Sequence, residues 1–61
     1  MTGLVKARKS AGMTMTELAR RAGVSVISIY RYEHGMRKPT SEILLRMAQA
    51  LNVTMEDLLR G

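Results

Sequence analysis

Apolar residues recur along this chain in steps of three and four, without sustained alternation, which predicts short amphipathic helices and no strand. The clearest stripe is Leu44, Met47, Ala48 and Leu51, at i, i+3, i+4 and i+7. Punctuating residues separate the apolar stretches. Helix formers run from Leu4 to Ala11 and stop at Gly12, a C′ glycine. Thr14, followed three residues on by Glu17, reads as a capping box for a helix through Ala22, which Gly23 ends. Ser25 caps a third helix to about Glu33 or His34, with Gly35 just past its end. Met36 to Pro39 form a connector, because Pro39 cannot continue the helix before it. Thr40 caps a fourth helix to about Leu51, where Asn52 tolerates a left-handed backbone. Thr54 and Asp57 repeat the capping pattern for a last short helix ending near Arg60.

The remaining walls of a core can come from Leu4 and Ala7, Leu18 and Ala22, Ile29 and Tyr32, and Leu58 or Leu59. Six methionines and no phenylalanine make that core one of flexible aliphatics. At 61 residues the chain reads as one all-α domain, residues 1–61, burying only about 60% of its unfolded surface. The apolar fraction, 46%, is too high for a disordered tail. With no cysteine, disulfides, thiolate metal sites and a thiol nucleophile are excluded together. No apolar run approaches the roughly 20 residues of a membrane span, and no signal-peptide layout opens the sequence, so a cytoplasmic protein is expected. One histidine and five scattered acids supply no nucleophile–base set, no metal-ligand cluster and no cofactor site, and an enzyme is not expected.

Charge adds a direction. The chain carries +5 overall, but residues 1–38 hold eight basic groups against Glu17 and Glu33, a balance of +6. Residues 39–61 hold Arg46 and Arg60 against Glu42, Glu56 and Asp57, a balance of −1. A basic half beside a near-neutral half points to a polyanion, nucleic acid before anionic membrane; a merely solvated basic surface has the same signature.

Within the basic half, Met15 to Tyr32 read MTELARRAGVSVISIYRY. Two short helices meet here across Gly23-Val24-Ser25. Ala19 is small where their axes cross, Gly23 stands where the chain must turn with positive φ, and Leu18, Val24, Ile29 and Tyr32 point inward. This looks like a helix-turn-helix, whose second helix enters the major groove of DNA. With Met13-Thr14 before it, Tyr32 to Thr40 after it and the closing stretch Ala50 to Leu59, the sequence resembles the lambda-repressor-like, Cro-type (xenobiotic-response-element) helix-turn-helix family over residues 4–60.

The resemblance implies a five-helix domain that binds operator DNA, usually as a dimer on a two-fold-related site. It implies that Arg8 bridges to Glu33 and holds the fold. Ser25, Val26, Ile27, Tyr30 and Arg31 match groove-facing positions of a recognition helix spanning about Val26 to Glu33. Around them, the helix-two start (Thr14, Met15, Thr16), Arg20 or Arg21 on helix two, and His34, Arg37 and Lys38 in the connector are candidate phosphate ligands. The sequence departs from the family at Met15, where glutamine is frequent and which leaves only backbone N–H groups for a phosphate. It also departs at His34, where asparagine is common.

Val26, Ile27 and Tyr30 are apolar where many relatives carry base-bonding side chains. Three readings are open: Val26 and Ile27 meet thymine methyl groups while Arg31 supplies polar readout, the three form a protein-binding patch, or one of them packs into the core. For a two-fold assembly the last segment offers Val53, Met55, Leu58 and Leu59, with Val53 and one leucine completing the monomer core. Met55, Leu58 and Leu59 are the candidates for the surface of a homodimer that is weak without DNA. The expected function is a sequence-specific DNA-binding transcriptional regulator of repressor type, acting at the nucleoid. An antitoxin-like interaction module is the alternative, and a membrane binder is disfavoured because such peptides need no tight turns or caps.

Overall fold

The computed structural model describes residues 1–60 and builds them from five helices: α1 Thr2–Ser10, α2 Met15–Ala22, α3 Val26–Glu33, α4 Ser41–Leu51 and α5 Met55–Leu59. No strand occurs among the described residues. Four helix starts have the expected hydroxyl caps, with Thr14, Ser25, Thr40 and Thr54 accepting from the amides of Glu17, Ser28, Ile43 and Asp57. The helix ends follow the sequence as closely. Gly23 and Asn52 take left-handed backbone at φ 72° and 56°, closing α2 and α4.

Two local expectations need correction. α1 begins at Thr2, ahead of Leu4, and has no side-chain cap. The capping box at α2 is only half formed: Thr14 accepts from the Glu17 amide at 3.1 Å, but the Glu17 carboxylate turns to Arg20 and Arg21, at 2.6 and 2.7 Å. Two charge-assisted bonds outcompete one bond to a neutral backbone amide. The complete capping box is at α5, where Thr54 and Asp57 exchange bonds of 3.1 Å in both directions.

The helices enclose one core of leucines, alanines, Ile29, Tyr32 and Met47. Leu4, Leu18, Ile29, Met47 and Leu58 are fully buried, one from each helix, so every helix is tied to the same centre. The α4 stripe Leu44, Met47, Ala48 and Leu51 faces inward as its spacing requires. Leu58 therefore cannot lie on a dimer surface, contrary to the expectation above. Its neighbour Leu59 is 61% exposed, and Met55 and Val53 pack partly against the core.

α1 and α5 meet closely at Gly3. Its amide donates to the Arg60 carbonyl at 2.9 Å, and a Cβ placed on it would stand 2.3 Å from the Asp57 carbonyl oxygen. The carbonyls of Arg60 and Leu58 would lie at 2.8 and 2.9 Å from the same atom, and all three are backbone groups that cannot swing aside. In an open helix, Gly→Ala gains up to about 1 kcal/mol. Here the sign reverses: Gly3→Ala should lose roughly 1–3 kcal/mol through overpacking. Urea unfolding followed by circular dichroism measures it, and a stabilised variant would show that the α1–α5 junction yields freely.

Candidate nucleic-acid interface

The corner between α2 and α3 is built from backbone constraints. The amides of Gly23 and Val24 both donate to the Ala19 carbonyl, the second at 3.0 Å, folding the chain back after the last turn of α2. Only the distant Arg46 guanidinium, at 3.6 Å, lies near the place of a Gly23 Cβ. Glycine is thus demanded by φ rather than by space. Ser25 then starts α3, with Ala19, Ala22 and Ile29 buried at the joint.

α3 is held from behind by α1. Arg8 Nε donates to Glu33 Oε2 at 2.6 Å and Nη2 donates to Oε1 at 3.3 Å, while Nη1 donates to the Met13 carbonyl at 2.8 Å. The pair is nearly enclosed, with side-chain exposures of 13% and 5%. Arg8 is accordingly committed to the fold. Ile29 and Tyr32 anchor the same helix in the core.

The opposite face of α3 is open. Val26, Ile27 and Tyr30 are 42%, 58% and 46% exposed, so none of the three is a core residue and the third reading of that face falls away. Arg31 is exposed beside them and has no acidic partner among the described residues. The Tyr30 ring rests against His34, with centroids 4.1 Å apart and planes tilted by 37°. Ser25 is exposed, but its hydroxyl accepts from the Ser28 amide at 3.1 Å and meets the Ser28 hydroxyl at 2.9 Å. Its first task is the helix cap.

Around this face stand the other candidates. Thr14 and Thr16 are exposed at the start of α2, with Met15 half-buried between them against the core. Arg20 and Arg21 are exposed and share the single carboxylate of Glu17, leaving one net positive charge on that turn. The hydrogen bond from Arg21, with that from Arg20, holds the Glu17 carboxyl below its usual pKa of 4.5. At the far end the Met36 amide donates to the Arg31 carbonyl at 2.8 Å, and Gly35 takes φ 68°, turning Arg37 and Lys38 out as exposed cations without an acidic partner among the described residues. By contrast Arg46 and Arg60 are matched by Glu42 and Asp57. Among the described residues, and apart from Lys6 and Lys9 on α1, the Lys and Arg side chains left without an acidic partner are thus Arg31, Arg37 and Lys38, on α3 and the connector after it.

Two exposed apolar side chains escape the sequence reading, Met36 at 66% and Leu45 at 44%. Leu45 was signalled by its place outside the α4 stripe, and Met36 by its place just past Gly35. Among the described residues no helix is long and apolar enough to cross a membrane.

Comparison with known proteins agrees with this architecture. The sequence model of the helix-turn-helix family matches residues 4–58. An uncharacterized HTH-type transcriptional regulator of Mycobacterium tuberculosis is 41% identical over 51 residues, 84% of this chain and 36% of that protein. The cryptic phage CTXphi transcriptional repressor RstR of Vibrio cholerae is 34% identical over 55 residues, 90% of this chain and 49% of that protein. The chain thus spans less than half the length of either relative. No solved structure gives a significant match. With five helices, a glycine-closed corner between α2 and α3 and a family match over nearly its whole length, the chain belongs to the lambda-repressor-like helix-turn-helix family.

Proposed function

We propose that this domain is a sequence-specific double-stranded-DNA-binding transcriptional regulator, a repressor, that lays α3 in the major groove. The observation that carries the reading is the division of α3: Ile29, Tyr32 and Glu33 are locked into the fold, while Val26, Ile27, Tyr30 and Arg31 are free on the other side. Arg31 is the polar base reader, Val26, Ile27 and Tyr30 supply apolar contact, and Ser25 adds a hydroxyl at the helix start. Phosphate contacts come from the α2 start at Thr14, Met15 and Thr16, from Arg20 or Arg21, and from His34, Arg37 and Lys38.

The described residues measure 23 × 22 × 19 Å, shorter than the ~34 Å between half-sites one helical turn apart. One copy therefore engages one major groove, which favours a homodimer on a two-fold-related operator. Leu59, with the half-buried Met55, is the surface proposed to join the copies, and the near-neutral charge of that half avoids repulsion between basic partners. The same reading places the protein in the cytoplasm at the nucleoid, acting without a cofactor or a catalytic step.

Selection from a random duplex pool tests the reading and yields the operator. On the selected duplex, Lys38→Ala should weaken all sequences alike and flatten a log K against log salt slope of roughly −4 to −5 by about one. Arg31→Ala should relax preference at one base position, at a cost of about 1–3 kcal/mol. The exposed apolar trio favours a second reading, a protein-interaction module. If Arg31→Ala, Lys38→Ala and Tyr30→Ala leave binding to every duplex unchanged in a gel-shift series, that second reading takes over.

A further inference from the structure

We propose that α3 reads the 5-methyl group of pyrimidines through Val26 and Ile27, so that 5-methylcytosine is accepted where thymine is accepted and is bound more tightly there than unmethylated cytosine. The inference rests on the DNA-binding reading above and specifies what that site recognises.

The face of α3 is poor in hydrogen-bonding groups where the helix begins. Val26 and Ile27 are its first two residues and both are exposed. The hydroxyls on either side of them, Ser25 and Ser28, are turned to each other at 2.9 Å. The Tyr30 ring, the next apolar group on that face, is braced by His34. Apart from the Ser25 hydroxyl, already engaged in the helix cap, polar readout thereby rests on Arg31 and the Tyr30 hydroxyl, one turn further on.

In the major groove thymine shows an O4 acceptor and a C5-methyl group, whereas cytosine shows an N4–H₂ donor and a bare C5. Valine and isoleucine have neither donor nor acceptor, so they do not distinguish O4 from N4. They distinguish only the presence of the methyl. 5-Methylcytosine carries that methyl at the same carbon, and to these two side chains it is equivalent to thymine. The occupant of the apolar face is DNA rather than a protein because the unmatched Arg31, Arg37 and Lys38 lie on the same helix and its connector, giving a cationic surround that a polyanion complements. Methylation of cytosine would then create or strengthen a binding site without any change of sequence.

The experiment uses the full chain and the duplex selected from the random pool, with binding followed by fluorescence anisotropy. Each pyrimidine position of a half-site is tested in two matched pairs: thymine against deoxyuridine opposite adenine, and 5-methylcytosine against cytosine opposite guanine. Each pair differs by one methyl. At one or two positions per half-site, loss of the methyl should weaken binding about fourfold in both pairs, the effect of removing one buried methyl-sized group. Ile27→Ser or Val26→Ser should abolish the difference at its own position, and thermal unfolding checks that these exposed-site variants stay folded.

Equal binding of thymine and deoxyuridine duplexes at every position overturns the inference while leaving the DNA reading in place. A methyl effect in the thymine pair with none in the cytosine pair also overturns it. Should the random pool yield no bound duplex, the DNA reading itself fails and this inference with it. The duplex comparisons on the unmodified protein decide the matter even if a serine variant does not fold.

Discussion

Replacing Arg8 by alanine should destabilise the domain by about 3–5 kcal/mol, because it leaves a nearly enclosed carboxylate without a partner. Glu33 is 5% exposed and accepts both of its side-chain bonds from Arg8, and the Met13 carbonyl loses its guanidinium donor in the same step. A domain of this length has a total stability of roughly 3–9 kcal/mol, so the loss removes about a third of it or more, and unfolds the variant where the parent lies at the low end of that range. Urea titration by circular dichroism measures the loss; a change below about 1 kcal/mol would reduce the pair to a surface contact. The double variant Arg8→Met with Glu33→Leu should recover most of the stability, since an apolar pair of similar volume removes both buried charges. The large single effect and small double effect together would show that the cost lies in the stranded carboxylate.

The second large effect separates two adjacent leucines. Leu58→Ala should lose about 2–5 kcal/mol, as truncations at fully buried aliphatic sites do, because the surrounding helices cannot close over the gap. Leu59→Ala should change monomer stability by no more than about 0.5 kcal/mol. Self-association should follow the reverse order. Sedimentation at increasing concentration is expected to show Leu59→Ala weakening the pairing of copies, while the dimer proposal fails if Leu59→Ala self-associates as the parent protein does. A ranking in which Leu59→Ala destabilises the monomer more than Leu58→Ala would contradict the packing of α5.

These two leucines also mark where sequence stopped being informative. α5 has five residues, less than two turns, so an apolar stripe cannot establish its phase and either leucine could face inward. The eleven residues of α4 repeat the stripe and leave no such freedom. Helix starts were legible because Thr14, Ser25, Thr40 and Thr54 act on amides three residues away, within the reach of a local pattern. The open face of α3 was legible for a related reason: Ile29 and Tyr32 fix the inward side, which leaves Val26, Ile27 and Tyr30 outside.

Competition between partners was not legible. Glu17 had a local amide and two arginines to choose from, and the pattern around Thr14 records only the amide. Gly3 carries no local signal either, since it sits inside a helix where glycine is a poor choice until the α5 backbone is placed against it. The partnership of Arg8 with Glu33 joins residues 25 positions apart and was reached through family resemblance, not through spacing.

The bond between the Gly3 amide and the Arg60 carbonyl has a consequence for how the chain is made. It joins positions 57 residues apart, so the first helix leaves the ribosome 57 residues ahead of its last partner. At about 5–20 residues per second that interval is roughly 3–11 s, far longer than a helix needs to form. During it the side of α1 that α5 will cover stays open to water and to chaperones. The fold closes like a ring, and whatever a cell does to this nascent chain before residue 60 emerges acts on an unclosed one.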